Sequence, residues 1–160
     1  NPTPTVCAIA NGSFERSINA IFEWELMRSG AGDGRAPQER AHDGEYIMNF
    51  IADGRFDFVS QTIPMDTCIG QPLTVSLYFA GVRIARGGEI GVTIDYLQDG
   101  EVTGTQVCSF DRRDSFQWQP FSCALDTSAT YDSIEVTIGW RGAAEGVLAV
   151  DSVKLIGPGQ

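Results

Sequence analysis

Nine stretches of this chain, each eight to ten residues long, are apolar or alternate apolar with polar residues, and glycine, proline or aspartate separates most of them. They run 20–27, 45–52, 56–63, 73–82, 89–97, 102–110, 117–125, 133–140 and 147–156. A period of two fits these stretches better than the 3.6 of a helix. With a short apolar segment at 11–15, they make about ten strands. Asp99-Gly100 between two of them is a strong hairpin signal. No stretch reads as a helix longer than two turns. Short strands punctuated by turns predict an all-β chain, an antiparallel β-sandwich or jelly roll. The least regular stretch, 28–43, reads as a long surface loop.

A chain of 160 residues can bury one core, so a single domain over 1–160 is expected. Residues 1–5 and 157–160 read as tail or linker, which suits a module of a longer protein. No apolar run approaches the ~18 residues that span a bilayer. Carboxylates number 21 against 11 Lys and Arg, and Lys154 is the one lysine. Such a surface repels phosphate backbones and anionic lipids, which argues against nucleic acid and membrane as partners. Neutral ligands, cationic ligands and metal ions remain, and a monomer is expected.

Cysteines stand at 7, 68, 108 and 123 without a C-x-x-C pair, so a zinc site of ordinary spacing is not indicated. An even count in an acidic, lysine-poor chain points to disulfides, an oxidising compartment and secretion. Three connectivities are possible. Cys108 and Cys123 flank a polar stretch between two strand-like segments, which favours a bridge across a hairpin and leaves Cys7 with Cys68.

Enzyme signatures are sparse. His42 is the single histidine, so no H-E-x-x-H cluster can form, and neither a G-x-S-x-G elbow nor a P-loop occurs. Gly30 to Gly34 is glycine-rich but opens no helix. Glu23 and Glu25 flank Trp24 at a spacing that two glycosidase carboxylates could use, yet acids on a solvated strand face read the same way. Asn11-Gly12-Ser13 is an N-glycosylation sequon. One further pair is distinctive. Glu15 follows the apolar opening segment and Asp151 sits inside the apolar closing strand. A carboxylate beside a half-buried strand is costly without a partner. If the two segments lie together, a divalent cation is the simplest partner for both.

Asn11-Gly12-Ser13-Phe14-Glu15, Trp24, Ala41-His42-Asp43-Gly44, Trp118-Gln119-Pro120-Phe121 and Val150-Asp151-Ser152-Val153-Lys154-Leu155 occur in that order. Together they resemble the cellulose- and xylan-binding modules of the CenC type, the family 4 and family 9-like carbohydrate-binding modules, whose fold is a galactose-binding-like jelly roll. The cysteines and acidity are closer to a fungal secreted version than a bacterial one. The resemblance implies a structural calcium ion held by Glu15, Asp43 and Asp151, with backbone carbonyls of Ser13 and Tyr46. Calcium takes six to eight oxygens, which such a set can begin to supply. It also implies a groove on the concave sheet that holds a glycan by aromatic stacking and polar contacts. The aromatic candidates are Phe56, where the family's groove-lining Trp tends to sit, then Tyr96 and Trp140. The polar candidates are Asp57, Gln61, Glu135 and Arg141. Trp24 and Trp118 read as structural.

The function implied is non-catalytic binding of a β-linked polysaccharide of glucan or xylan type, outside the cell, alongside an attached catalytic or cell-wall domain. An adhesion domain with the same fold and no sugar is the alternative.

Overall fold

A computed structural model describes residues 7–10, 12, 14–15, 24–28, 34–37, 41–42, 44, 46–65 and 68–157. Ten strands are formed: β1 (Glu25–Arg28), β2 (Gly34–Pro37), β3 (Tyr46–Ile51), β4 (Phe56–Pro64), β5 (Thr74–Ile84), β6 (Glu89–Gln98), β7 (Glu101–Ser109), β8 (Asp114–Ala124), β9 (Ser133–Arg141) and β10 (Val147–Ile156). They build two five-stranded sheets, ordered β1-β4-β9-β6-β7 and β2-β3-β10-β5-β8, and every pairing is antiparallel. The expected all-β sandwich is what forms.

Alternation decides which side chains lie between the sheets. On β5, Val75, Leu77 and Phe79 are buried while Ser76, Tyr78 and Ala80 are partly exposed. On β9, Ile134, Val136, Ile138 and Trp140 point inward, and Ser133, Glu135, Thr137 and Arg141 point out. Phe14, Phe50, Phe79, Met48, Leu77, Ile94 and Leu148 are among the fully buried side chains. Phe79, Phe110, Phe116 and Phe121 pack as a cluster, with Phe79 and Phe110 centroids 4.8 Å apart.

Two disulfides form, Cys7–Cys68 and Cys108–Cys123, with the expected connectivity, but the second does not span a hairpin, because the strands on either side of it go to different sheets. The second joins β7 of one sheet to β8 of the other, tying two sheet edges together. Closing a loop of that length is worth roughly 3 kcal/mol in the chain-entropy account.

Two expectations are corrected. The stretch 28–43 is not all loop: β1 ends at Arg28, and Gly34–Pro37 pairs with β3. Its glycines and prolines hid a four-residue edge strand, where Pro is tolerated. The opening segment is not a strand at its described residues. Phe14 adopts φ 58°, which interrupts an extended path and drops its ring into the core, 5.5 Å from Trp24. Gly12 nevertheless meets the closing strand, because its carbonyl accepts from Val153 N–H at 2.9 Å.

Candidate functional site

The outward face of the sheet β1-β4-β9-β6-β7 can be read row by row from its register. One row is Phe56, Arg141 and Glu89. The next is Phe58, Gly139, Gly91 and Ser109, and the next Ser60, Thr137, Thr93 and Val107. The last is Thr62, Glu135, Asp95 and Thr105. Glu25 of β1 pairs with Ser60 and is exposed.

Two adjacent glycines in the Phe58 row leave a hollow of about 280 Å³, lined by Phe58, Glu89, Thr93, Val107, Thr137 and Arg141 among others. Neither glycine can be replaced freely. A Cβ on Gly139 would overlap the Asp57 carbonyl oxygen, and one on Gly91 would overlap that of Cys108. Phe56 and Phe58 stack on one another at 5.8 Å and 14°, and Phe56 is 42% exposed. The Arg141 guanidinium lies over the Phe58 ring at 5.7 Å. The face thus presents an aromatic platform, a cation, a recess and a bank of hydroxyls.

Of the groove residues expected from sequence, the structure puts three on this face: Phe56, Glu135 and Arg141. The other four lie inside the sandwich. Asp57 and Trp140 are each 1% exposed, and the indole N–H donates to Asp57 Oδ2 at 3.2 Å. Gln61 is buried, its side chain accepting from Ala10 N–H and donating to Ala10 carbonyl. Tyr96 is 2% exposed; its hydroxyl donates to Gln106 Oε1 at 2.6 Å and accepts from Asp126 N–H at 2.7 Å. Burial holds the Tyr96 phenol above its ordinary pKa, against the hydrogen bond from Asp126. Strand parity is the reason. Asp57 and Gln61 alternate with Phe56, and Trp140 with Arg141, so they cannot share a face. The same rule finds Phe58, which sequence reasoning missed although it stands two residues from Phe56.

The expected metal residues fall into three segments that the fold stitches together. Gly12 bonds Val153, Glu15 Oε2 accepts from Tyr46 N–H at 2.8 Å, and His42 Nδ1 lies 2.6 Å from Ser152 Oγ. Glu15 also packs on Gly44, where a Cβ would overlap its carboxylate. Tyr46 therefore meets Glu15 through its N–H. Asp151 is fully buried, and its Oδ1 accepts from Ser152 N–H at 2.8 Å, at a bulge where Ser152 has φ 55°. Ser13 and Asp43 lie outside the described residues, as do Asn11 of the sequon, Glu23, and 30–33 of the glycine-rich stretch. Among the described residues, no three His, Cys, Asp or Glu side chains cluster as a metal centre.

The opposite sheet carries a second hollow, about 570 Å³, lined largely by aliphatic and small side chains: Ile47, Ala80, Val82, Val147 and Ala149, with Asn49 and Trp118. Beside it His42 stacks on Tyr78 at 3.6 Å and meets the edge of Trp118 at 6.1 Å. It is the roomier of the two. Phe116 and Trp118 line the larger hollow too, but a guanidinium over a ring and three hydroxyls around one recess are particular to the smaller one, so the smaller one is the better match to a polar, ring-shaped ligand.

No family model and no curated protein matches the chain. Solved structures do. A family 61 carbohydrate-binding module, TmCBM61 in complex with β-1,4-galactotriose, is 17% identical with a TM-score of 0.66, covering 96% of this chain and 99% of that one. A second module of family 16 is 15% identical at TM-score 0.63, covering 92% and 98%. The CBM22-1 xylan-binding domain from Paenibacillus barcinonensis Xyn10C is 12% identical at TM-score 0.55, covering 90% of each. The chain has the β-sandwich fold that these carbohydrate-binding modules share.

Proposed function

We propose that this protein is a non-catalytic carbohydrate-binding module whose ligand, a β-linked polysaccharide of glucan or xylan type, lies across the face β1-β4-β9-β6-β7. The observation that carries this reading is the stacked Phe56–Phe58 pair beside a glycine-floored recess ringed with hydroxyls. A sugar ring offers an apolar C–H face to an aromatic and hydroxyls to polar edges, so the two sets of groups divide the work between them. Thr93, Thr137, Ser109 and Glu135 supply acceptors and donors; Phe58 and Phe56 supply the platform. Exposed contacts of this kind give weak binding, micromolar to millimolar, and need no covalent step. Two disulfides support an extracellular setting.

A structural calcium ion belongs to the same reading. The donor chemistry fits: Glu15 and Asp151 are hard carboxylates, and Asp43 sits in sequence between His42 and Gly44, whose contacts bind three segments into one knot. Glu15, Asp43 and Asp151 would hold the ion, with carbonyls of Ser13 and Tyr46. Its role would be to clamp the opening segment and the 41–46 turn onto β10.

Affinity electrophoresis through gels containing β-glucan, xylan, mannan or chitin tests the reading. Retardation by one polymer, weakened at least tenfold in Phe58→Ala with an unchanged melting temperature, is the expected result. Retardation by none of them sinks it in favour of an adhesion domain. Loss in Trp118→Ala but not in Phe58→Ala moves the ligand to the other sheet.

A further inference from the structure

We infer that the glycan is an acidic one, and that Arg141 reads a uronic acid carboxylate on it. This rests on the glycan-binding reading above and names the ligand class more narrowly.

The charge of the molecule is unevenly distributed between the two ends of the sandwich. The loops β3–β4, β5–β6, β7–β8 and β9–β10 share one end, joined by bonds from Ala52 to Gly146, Gly54 to Ala143, and Ala85 to Glu145. These loops and their flanking residues hold Arg55, Arg83, Arg86, Arg112, Arg113 and Arg141, six of the eleven cationic residues. They hold only Asp53, Glu89, Asp111, Asp114 and Glu145 of the twenty-one carboxylates. At the other end, the described stretches 68–73, 98–100 and 125–132 contain no Lys or Arg. Six of the eleven cations thus sit in these loops beside five carboxylates, at the end of the sheet where the aromatic platform stops.

Not all six arginines are available. Arg113 is spent internally, donating to the carbonyls of Phe110, Gly87 and Gly88. Arg112 lies over Phe116 at 5.5 Å and does not line the recess. Arg141 differs because it borders the recess. Its strand lies between β4 and β6, with Phe56 opposite on one side and Glu89 on the other. The guanidinium leans over Phe58 of β4, away from Glu89. A cation–π contact with a ring holds the guanidinium beside the recess while leaving N–H donors for an anion. A planar carboxylate matches that fork with two parallel hydrogen bonds. A sugar ring on the exposed Phe56 would bring its C6 carboxylate within the same neighbourhood. Arg55, exposed in the adjoining turn, adds to the local potential. At physiological ionic strength repulsion from carboxylates farther than ~8 Å away is largely screened, which leaves Arg141, Arg55 and the neighbouring Glu89 to set the local potential.

Matched polymer pairs test this. One pair is glucuronic-acid-substituted xylan and the same polymer with its carboxyls reduced; the other is C6-oxidised cellulose and its unoxidised parent. In at least one pair the acidic member should bind about tenfold tighter at physiological ionic strength, with the ratio falling as NaCl is raised further. Arg141→Gln should bring that ratio to about one, and Arg141→Lys should keep part of it, each with an unchanged melt. Equal or weaker binding of the acidic member, with the neutral one still bound, overturns the inference and leaves the glycan reading standing. A ratio untouched by Arg141→Gln also overturns it. Binding to no member of either pair removes both.

Discussion

Buried polar side chains in this protein hold their partners in ways that specific substitutions expose. The Trp140 indole N–H donates to the Asp57 carboxylate inside the sandwich, with both groups almost wholly removed from water. Asp57→Ala would strand that donor, and an unsatisfied buried polar group costs about 1–3 kcal/mol. Urea denaturation should show a loss of that size, with glycan affinity affected much less than in Phe58→Ala. Tyr96 gives a pH signature instead. Burial raises its pKa in the folded state, so the neutral phenol contributes stability that is complete below the unfolded value of ~10 and is lost as pH rises through the higher folded one. Melting temperatures taken from pH 9 upward should fall more steeply in the native protein than in Tyr96→Phe. Parallel curves would remove the assignment. Residue identity alone could not separate these groups from a ligand site. Asp57, Gln61, Tyr96 and Trp140 are the residue types that sugars meet, and only the parity of each strand sends them inward.

Strands were the most legible part of the sequence. From β3 onward each begins or ends within a few residues of where alternation puts it, because two buried faces demand period two. The exceptions have local causes. β2 is four residues with Pro and Gly at its ends, too short for any pattern. The opening segment holds a single large apolar residue, Phe14, whose left-handed conformation turns its ring into the core instead of continuing a strand. The candidate face was legible only in part: Phe56, Glu135 and Arg141 of the expected residues lie on it, while Phe58 and the paired glycines carry no signal that sequence reasoning used. Gly139 belongs to the register of three strands and has φ 155°. Gly139→Ala should destabilise the protein by about 2 kcal/mol or more, because backbone on β4 must move. A melting temperature within a degree of the native value would contradict that geometry.

The whole molecule is held by ties that run between segments distant in sequence. One disulfide joins Cys7 to Cys68, another joins the two sheets at one edge, and bonds at Gly12, Glu15 and His42 gather the opening segment, the 41–46 turn and β10. If calcium occupies the last of these, calcium at a hundredfold above its dissociation constant adds about 2.7 kcal/mol. Differential scanning calorimetry should then show a lower melting temperature in EDTA, restored by excess calcium and absent in Glu15→Gln. An EDTA-insensitive melt would remove the ion from the account.

The pair Gly91 and Gly139 has a consequence for how this surface can change. Most recesses in proteins are shaped by rotamers, and a single mutation can fill or enlarge them. Here main chain forms the bottom, and the neighbouring carbonyls forbid any added carbon there. Depth is therefore inherited with the sheet itself, while breadth and chemistry are set at the rim by positions such as Thr93, Val107 and Arg141. Selection or engineering of this surface would act on that rim and leave the basin as it is.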